Sequence, residues 1–116
     1  MTEKLGTVRI APQVLVTIAR LTTLNVPGVV RMSRDLPPQV NRFLHGKKGD
    51  GSVRVQIIDD AVSVDLFVIA DSSTNLYDLG REIQAQVSRA IKEMVGMPVL
   101  AVNVHVEDVE TVPSGE

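Results

Sequence analysis

Residues 75–109 read NLYDLGREIQAQVSRAIKEMVGMPVLAVNVHVEDV, and two different periods divide them. Leu76, Leu79, Gly80, Ile83, Val87, Ala90, Ile91 and Met94 recur at helical intervals, which predicts a long helix with one apolar stripe. Glu82, Gln86, Arg89 and Glu93 mark its opposite face. Asn75 is placed to cap its start, and Gly96 followed by Pro98 ends it. From Val99 the period drops to two. Leu100, Val102, Val104 and Val106 are expected to point inward, with Asn103, His105 and Glu107 outward.

A helix that leads into a strand needs an earlier strand to cross over from. The chain supplies one upstream. SVRVQII (52–58) alternates, placing Val53, Val55 and Ile57 on one side. Asp59-Asp60 forms a tight turn into AVSVDLFVIA (61–70), where Val62, Val64, Leu66 and Val68 continue the alternation. Phe67 and Ile69 on its other face imply that the far end of this strand is covered on both sides. A right-handed crossover through the long helix then sets the second hairpin strand parallel to the last strand.

The first half adds four elements. GTVRI (6–10) reads as a short strand. APQVLVTIARLTTLNV (11–26) places Val14, Leu15, Ile18 and Leu21 at helical spacing, with Pro12 suited to the first turn. Asn25 and Pro27-Gly28 stop that helix, and VVRMS (29–33) forms a strand. In DLPPQVNRFLHG (35–46), Asp35 is a cap and Leu36, Val40, Phe43 and Leu44 share a short helical face that Gly46 ends. The expected architecture is α+β: a two-layer sandwich of two main helices and a short helix on a mixed sheet of about five strands. A single domain over residues 1–109 and a flexible tail over 110–116 follow from this order.

Composition narrows the function. The 116 residues are 44% hydrophobic with two Phe, one Tyr and no Trp, so aliphatic side chains must build the core. So few aromatic rings argue against a base-stacking platform for nucleic acid. With no cysteine, disulfides and thiolate metal sites are excluded. No apolar run approaches the ~20 residues of a membrane-spanning helix, and MTEKLGTVRI does not read as a signal peptide. Net charge is −2, but it is unevenly spread. Residues 1–58 hold nine Lys/Arg against three Asp/Glu, and residues 59–116 hold three against eleven. Such asymmetry favours head-to-tail self-association or an acidic partner unless the halves interleave in space.

HGKKGDG (45–51) invites a phosphate-binding reading, which its setting refuses. A P-loop runs from strand into helix and places Ser/Thr after Gly-Lys; here a helix precedes the glycines and a strand follows. Gly46-Lys47-Lys48-Gly49 matches the Gly-x-x-Gly of a KH loop, but the second helix of that motif is missing. What remains is a local basic cluster of Arg42, His45, Lys47, Lys48 and Arg54, a candidate contact patch for an anionic surface or partner. An RNA-binding module using this loop is the alternative function. A third reading pairs His105 with Asp65 for acid–base work, although no nucleophile accompanies them. Asp59-Asp60 reads as a turn, two histidines sixty residues apart do not suggest a metal site, and no cofactor motif is present.

Several segments together resemble the alkaline shock protein 23 family, the Gls-type general stress proteins of Gram-positive bacteria. The resemblance rests on Ile10, Val14, Ile18-Ala19 and Val26-Pro27-Gly28-Val29 at the start, and on VSVDLFVIAD in the centre. It continues through Ile83-Gln84, Val87, Met94, Gly96 and Val102-Asn103-Val104. The chain departs from the pattern at DSSTN (71–75), where many relatives carry a tyrosine–glycine step. The resemblance implies a non-enzymatic role in envelope stress and cell-envelope homeostasis, with no catalytic, cofactor or metal residues. It further implies a cytoplasmic protein that self-associates or docks on a membrane-anchored protein partner, peripheral at the inner face of the membrane.

Overall fold

The computed structural model describes residues 5–33, 48–49 and 51–113. In chain order the elements are α1 (Pro12–Leu24), β1 (Val29–Met32), β2 (Lys48–Gly49), β3 (Val53–Ile58), β4 (Ala61–Asp71), α2 (Leu76–Val95) and β5 (Val99–Glu110). All five described strands belong to one mixed sheet, and β4 is its spine.

The hairpin forms where the alternation predicts it. Asp59 and Asp60 adopt φ of 50° and 65°, the left-handed pair that suits a two-residue turn between twisted strands. This turn pairs β3 with β4 from Ile58↔Ala61 to Val53↔Leu66. Beyond Leu66, the same edge of β4 is taken over by β1, antiparallel at Val68, Ile69 and Ala70. The opposite edge carries β5, parallel to β4 from Val62↔Val99 to Asp71↔Glu110. The two-residue β2 extends the sheet beyond β3 through Lys48↔Val55 and Gly49↔Arg54.

α2 is the crossover that parallel pairing demands. Asn75 Oδ1 accepts the Asp78 backbone N–H at 3.0 Å, and Gly96 closes the helix in the left-handed conformation. α2 lays Leu79, Ile83, Val87 and Ile91 on the sheet, and α1 lays Leu15, Val16, Ile18 and Ala19 beside them. These meet Val53, Val55, Val62, Val64, Leu66, Val68 and Val102 in one aliphatic core. Both helices sit on the same face, and they run antiparallel: the end of α1 lies near Glu82 and Gln86, its earlier turns near Met94.

Several expectations are corrected. GTVRI is not a strand: residues 5–11 form an exposed arm before α1, because a strand needs a neighbouring edge and no described strand lies beside it. In α1 the buried face is Leu15, Val16, Ile18, Ala19 and Thr23, leaving Val14 and Leu21 in solvent. Thr23 tolerates burial because its hydroxyl donates to the Ala19 carbonyl at 2.7 Å. The stripe of α2 overruns the sheet, so Leu76 and Met94 at its two ends are exposed. Leu100 is 60% exposed, since a register shift between Val99 and Ala101 breaks the alternation there. Ile57 is exposed near the hairpin tip, although Val53 and Val55 on its side are buried. The short helix expected at 35–46 lies outside the described residues, and β5 continues through Glu110.

Two glycines test the backbone argument. Gly28 has φ of 104°, and a Cβ there would meet Thr74 Cγ2 at 2.9 Å and Leu79 Cδ1 at 3.2 Å. Gly96 has φ of 80° with open space around it. Gly28→Ala is expected to cost about 2–3 kcal/mol, combining backbone strain with a packing clash. Gly96→Ala, with backbone strain alone, is expected to cost about 1 kcal/mol. Urea denaturation of both variants measures the difference, and equal losses would contradict the role given to the Thr74 contact.

Candidate functional site

The sheet face away from α1 and α2 carries Arg54, Asp65, Asn103 and His105, four of the polar residues singled out by the sequence. Register brings them together: Arg54 lies opposite Asp65, Asp65 opposite Asn103, and Phe67 opposite His105. The Phe67 and His105 rings stack with centroids 4.5 Å apart and planes 10° from parallel. The Arg54 guanidinium carbon sits 4.6 Å from the Phe67 centroid. Phe67 is thereby covered by its neighbours' planar groups and is almost wholly buried on the face away from α1 and α2. Asp65 Oδ1 accepts from Asn103 Nδ2 at 3.2 Å and lies 3.2 Å from His105 Nε2.

This arrangement decides how far the basic cluster can be followed. Arg54 is the one member whose side chain is described, and it is spent on Phe67; its Nε is buried without a hydrogen-bond partner. Lys48 belongs to β2, while Arg42, His45 and Lys47 lie outside the described residues. His105 and Asp65 do meet, as acid–base chemistry would require, but on an open sheet face with the imidazole plane occupied by Phe67. None of the described grooves is lined by either residue. Among the described residues, no group of three or more His, Asp or Glu is placed to hold a metal ion.

Two surfaces missed by the sequence reading are more open. On the helical layer, a groove of about 450 Å³ is lined by Val14, Thr17, Ile18 and Leu21 of α1 and by Met94 of α2. Leu21 is 56% and Met94 70% exposed, so apolar atoms dominate this surface. The only sequence signal for it is that α1 carries more apolar positions than one buried face can use. Beside β5, a second groove of about 390 Å³ is bounded by Leu76, Tyr77, Gly80, Arg81 and Gln84 above and by Val104 and Val106 below. Arg81 donates to the Tyr77 hydroxyl at 2.6 Å from Nη2, and Gln84 Nε2 donates to the Val102 carbonyl at 3.0 Å. Tyr77 itself is 69% exposed.

Fold and surfaces define a small α+β module with its described helices on one face of a mixed sheet and an apolar groove on its helical layer. Residues 1–111 match the profile of the alkaline shock protein 23 family, described as having a cell envelope-related function, and the chain belongs to that family. It is 30% identical over 110 residues to protein Spy1535 of Streptococcus pyogenes serotype M6, covering 93% of this chain and 82% of that one. It is 25% identical over 107 residues to YqhY of Bacillus subtilis, covering 91% and 78%. Neither the family description nor these names state an enzymatic activity. Among solved structures, the fold is similar to MamM CTD in its copper form, with a TM-score of 0.59 at 13% identity over 90% of this chain and 92% of that one. No helix among the described residues is long and apolar enough to cross a membrane.

The stack on the sheet face has a measurable weight. Phe67→Ala is expected to lower stability by about 3 kcal/mol, and Arg54→Ala by about 1 kcal/mol through loss of the cation–ring contact. Chemical denaturation checks both; an Arg54→Ala loss as large as that of Phe67→Ala would mean the guanidinium does more than cover the ring.

Proposed function

We propose that this protein is a non-enzymatic module of cell-envelope homeostasis under stress, acting by docking. Its partners are copies of itself or a membrane-anchored protein, which would hold it at the inner face of the membrane. The observation that carries this reading is the apolar groove between α1 and α2. Monomeric proteins seldom leave contiguous apolar surface in water without a use for it. Here Val14, Leu21 and Met94 converge from two helices, with Ile18 at the base. Their exposure is not forced by helix formation, since the buried faces of both helices are already complete. The cell envelope-related function of the family supports the same reading.

Light scattering with size exclusion over a range of concentrations tests self-docking, and recovery in the membrane fraction of native cells tests the anchored partner. The intact protein is expected to form oligomers or to fractionate with membranes in a partner-dependent way. Leu21→Glu combined with Met94→Glu should reduce whichever association is seen at least tenfold, with the thermal midpoint changed little because both side chains are exposed. A protein that stays monomeric at every concentration and never enriches with membranes would overturn the proposal.

A further inference from the structure

The groove beside β5 and the arm before α1 are each incomplete. β5 is a twelve-residue strand that pairs with β4, and no other described strand lies against it. Long edge strands are ordinarily shortened, covered or studded with charge, because their free backbone groups template further pairing. In β5, Gln84 meets the Val102 carbonyl. Backbone groups alternate sides along a strand, so Val104 and Val106 present theirs to the same side as Val102. These two residues also floor the groove under Leu76, Tyr77 and Gly80. A Cβ added at Gly80 would meet nothing within 4 Å, so the helix leaves room above this edge.

The arm has the opposite deficiency. Thr7-Val8-Arg9-Ile10 is β-branched at three of four positions and alternates apolar with polar, yet no described strand pairs with it. Val8 is 90% exposed, and Leu5 and Ile10 are also in solvent. The arm joins α1, whose early turns lie beside Met94 at the C-terminal end of α2, whereas the β5 groove lies under the N-terminal half of that helix. It therefore leaves the body at the end of α2 remote from the groove.

We infer that the edge of β5 to which no described strand pairs receives the arm of a second copy of this chain as an added strand. This deepens the docking function proposed above and rests on its self-association branch. Residues 7–11 match in length the stretch 103–107. With Val8 and Ile10 facing the helical layer, they fill the groove against Val104, Val106 and Tyr77. Arg9 then faces the opposite side of the sheet, opposite His105, with the exposed carboxylate of Glu107 at the register shift just beyond it. Its charge complements that carboxylate, and the pairing joins the basic half of one chain to the acidic half of another. Main-chain hydrogen bonds would supply affinity and the alternate pockets specificity, the usual division in strand addition.

Because the chain has no cysteine, disulfide trapping is clean. One population carries Arg9→Cys and a second carries His105→Cys, with Glu107→Cys and Asn103→Cys as neighbouring registers. Mixed under oxidation, the arm variant and one of the edge variants are expected to form a heterodimer in preference to either homodimer. Val8→Pro, which removes a strand N–H from an exposed arm, should weaken association at least tenfold while leaving the circular dichroism spectrum and thermal midpoint unchanged. Preferred edge-to-edge homodimers would overturn the arm as occupant. So would an Arg9→Cys, His105→Cys double variant that closes only within one chain. Oligomers that survive Val8→Pro but dissolve with Leu21→Glu and Met94→Glu would overturn this inference and leave docking through the helical groove standing. A strictly monomeric intact chain would overturn the inference, and absence of membrane enrichment as well would overturn the function beneath it.

Discussion

The parallel pairing of β4 with β5 is the constraint from which the rest of the architecture follows. Parallel neighbours cannot be joined by a tight turn, so the chain must leave the sheet, cross over one face and return. α2 is that crossover, and its buried stripe obliges the same face of the sheet to be apolar. Once α2 covers β5 and part of β4, the remaining apolar strip over β3 and β1 must be covered from elsewhere. α1 does so, leaving one face of the sheet uncovered by either described helix. The stack of Arg54, Phe67 and His105 belongs to that second face, where flat side chains cover an apolar ring.

Much of this order was legible in the residues. The change of period at Val99, the caps at Asn75 and Gly96 and the turn at Asp59-Asp60 each have a local physical cause, and the structure places each where the pattern does. Buried faces were less legible. A helical stripe says which side chains share a direction but not how far the surface beneath them reaches. Leu76 and Met94 are in phase with Ile83 and Ile91 and still project past the sheet. Val14 and Leu21 illustrate a second limit: α1 is apolar on more than one side, so periodicity alone does not say which side is turned inward.

The interaction surfaces were the least legible part because each is assembled from segments distant in sequence. Phe67 meets His105 through parallel register, and Arg54 reaches the same ring through the hairpin. Neither relation has a sequence motif. The reading of residues 6–10 as a strand was sound about local preference and wrong about the element, since pairing belongs to two segments and not to one. The mismatch between a strand-like sequence and its unpaired setting is more informative than either observation alone.

The β4–β5 pair also sets an order of assembly. Asp65 and its partner Asn103 are 38 residues apart, whereas Ile58 and Ala61 meet across two residues. Closing the short loop costs less entropy, so the hairpin is the natural nucleus and β5 the late arrival. During synthesis the hairpin emerges before the strand that will cover the other edge of β4. That edge, lined by the most apolar segment of the chain, waits unprotected until the last strand leaves the ribosome.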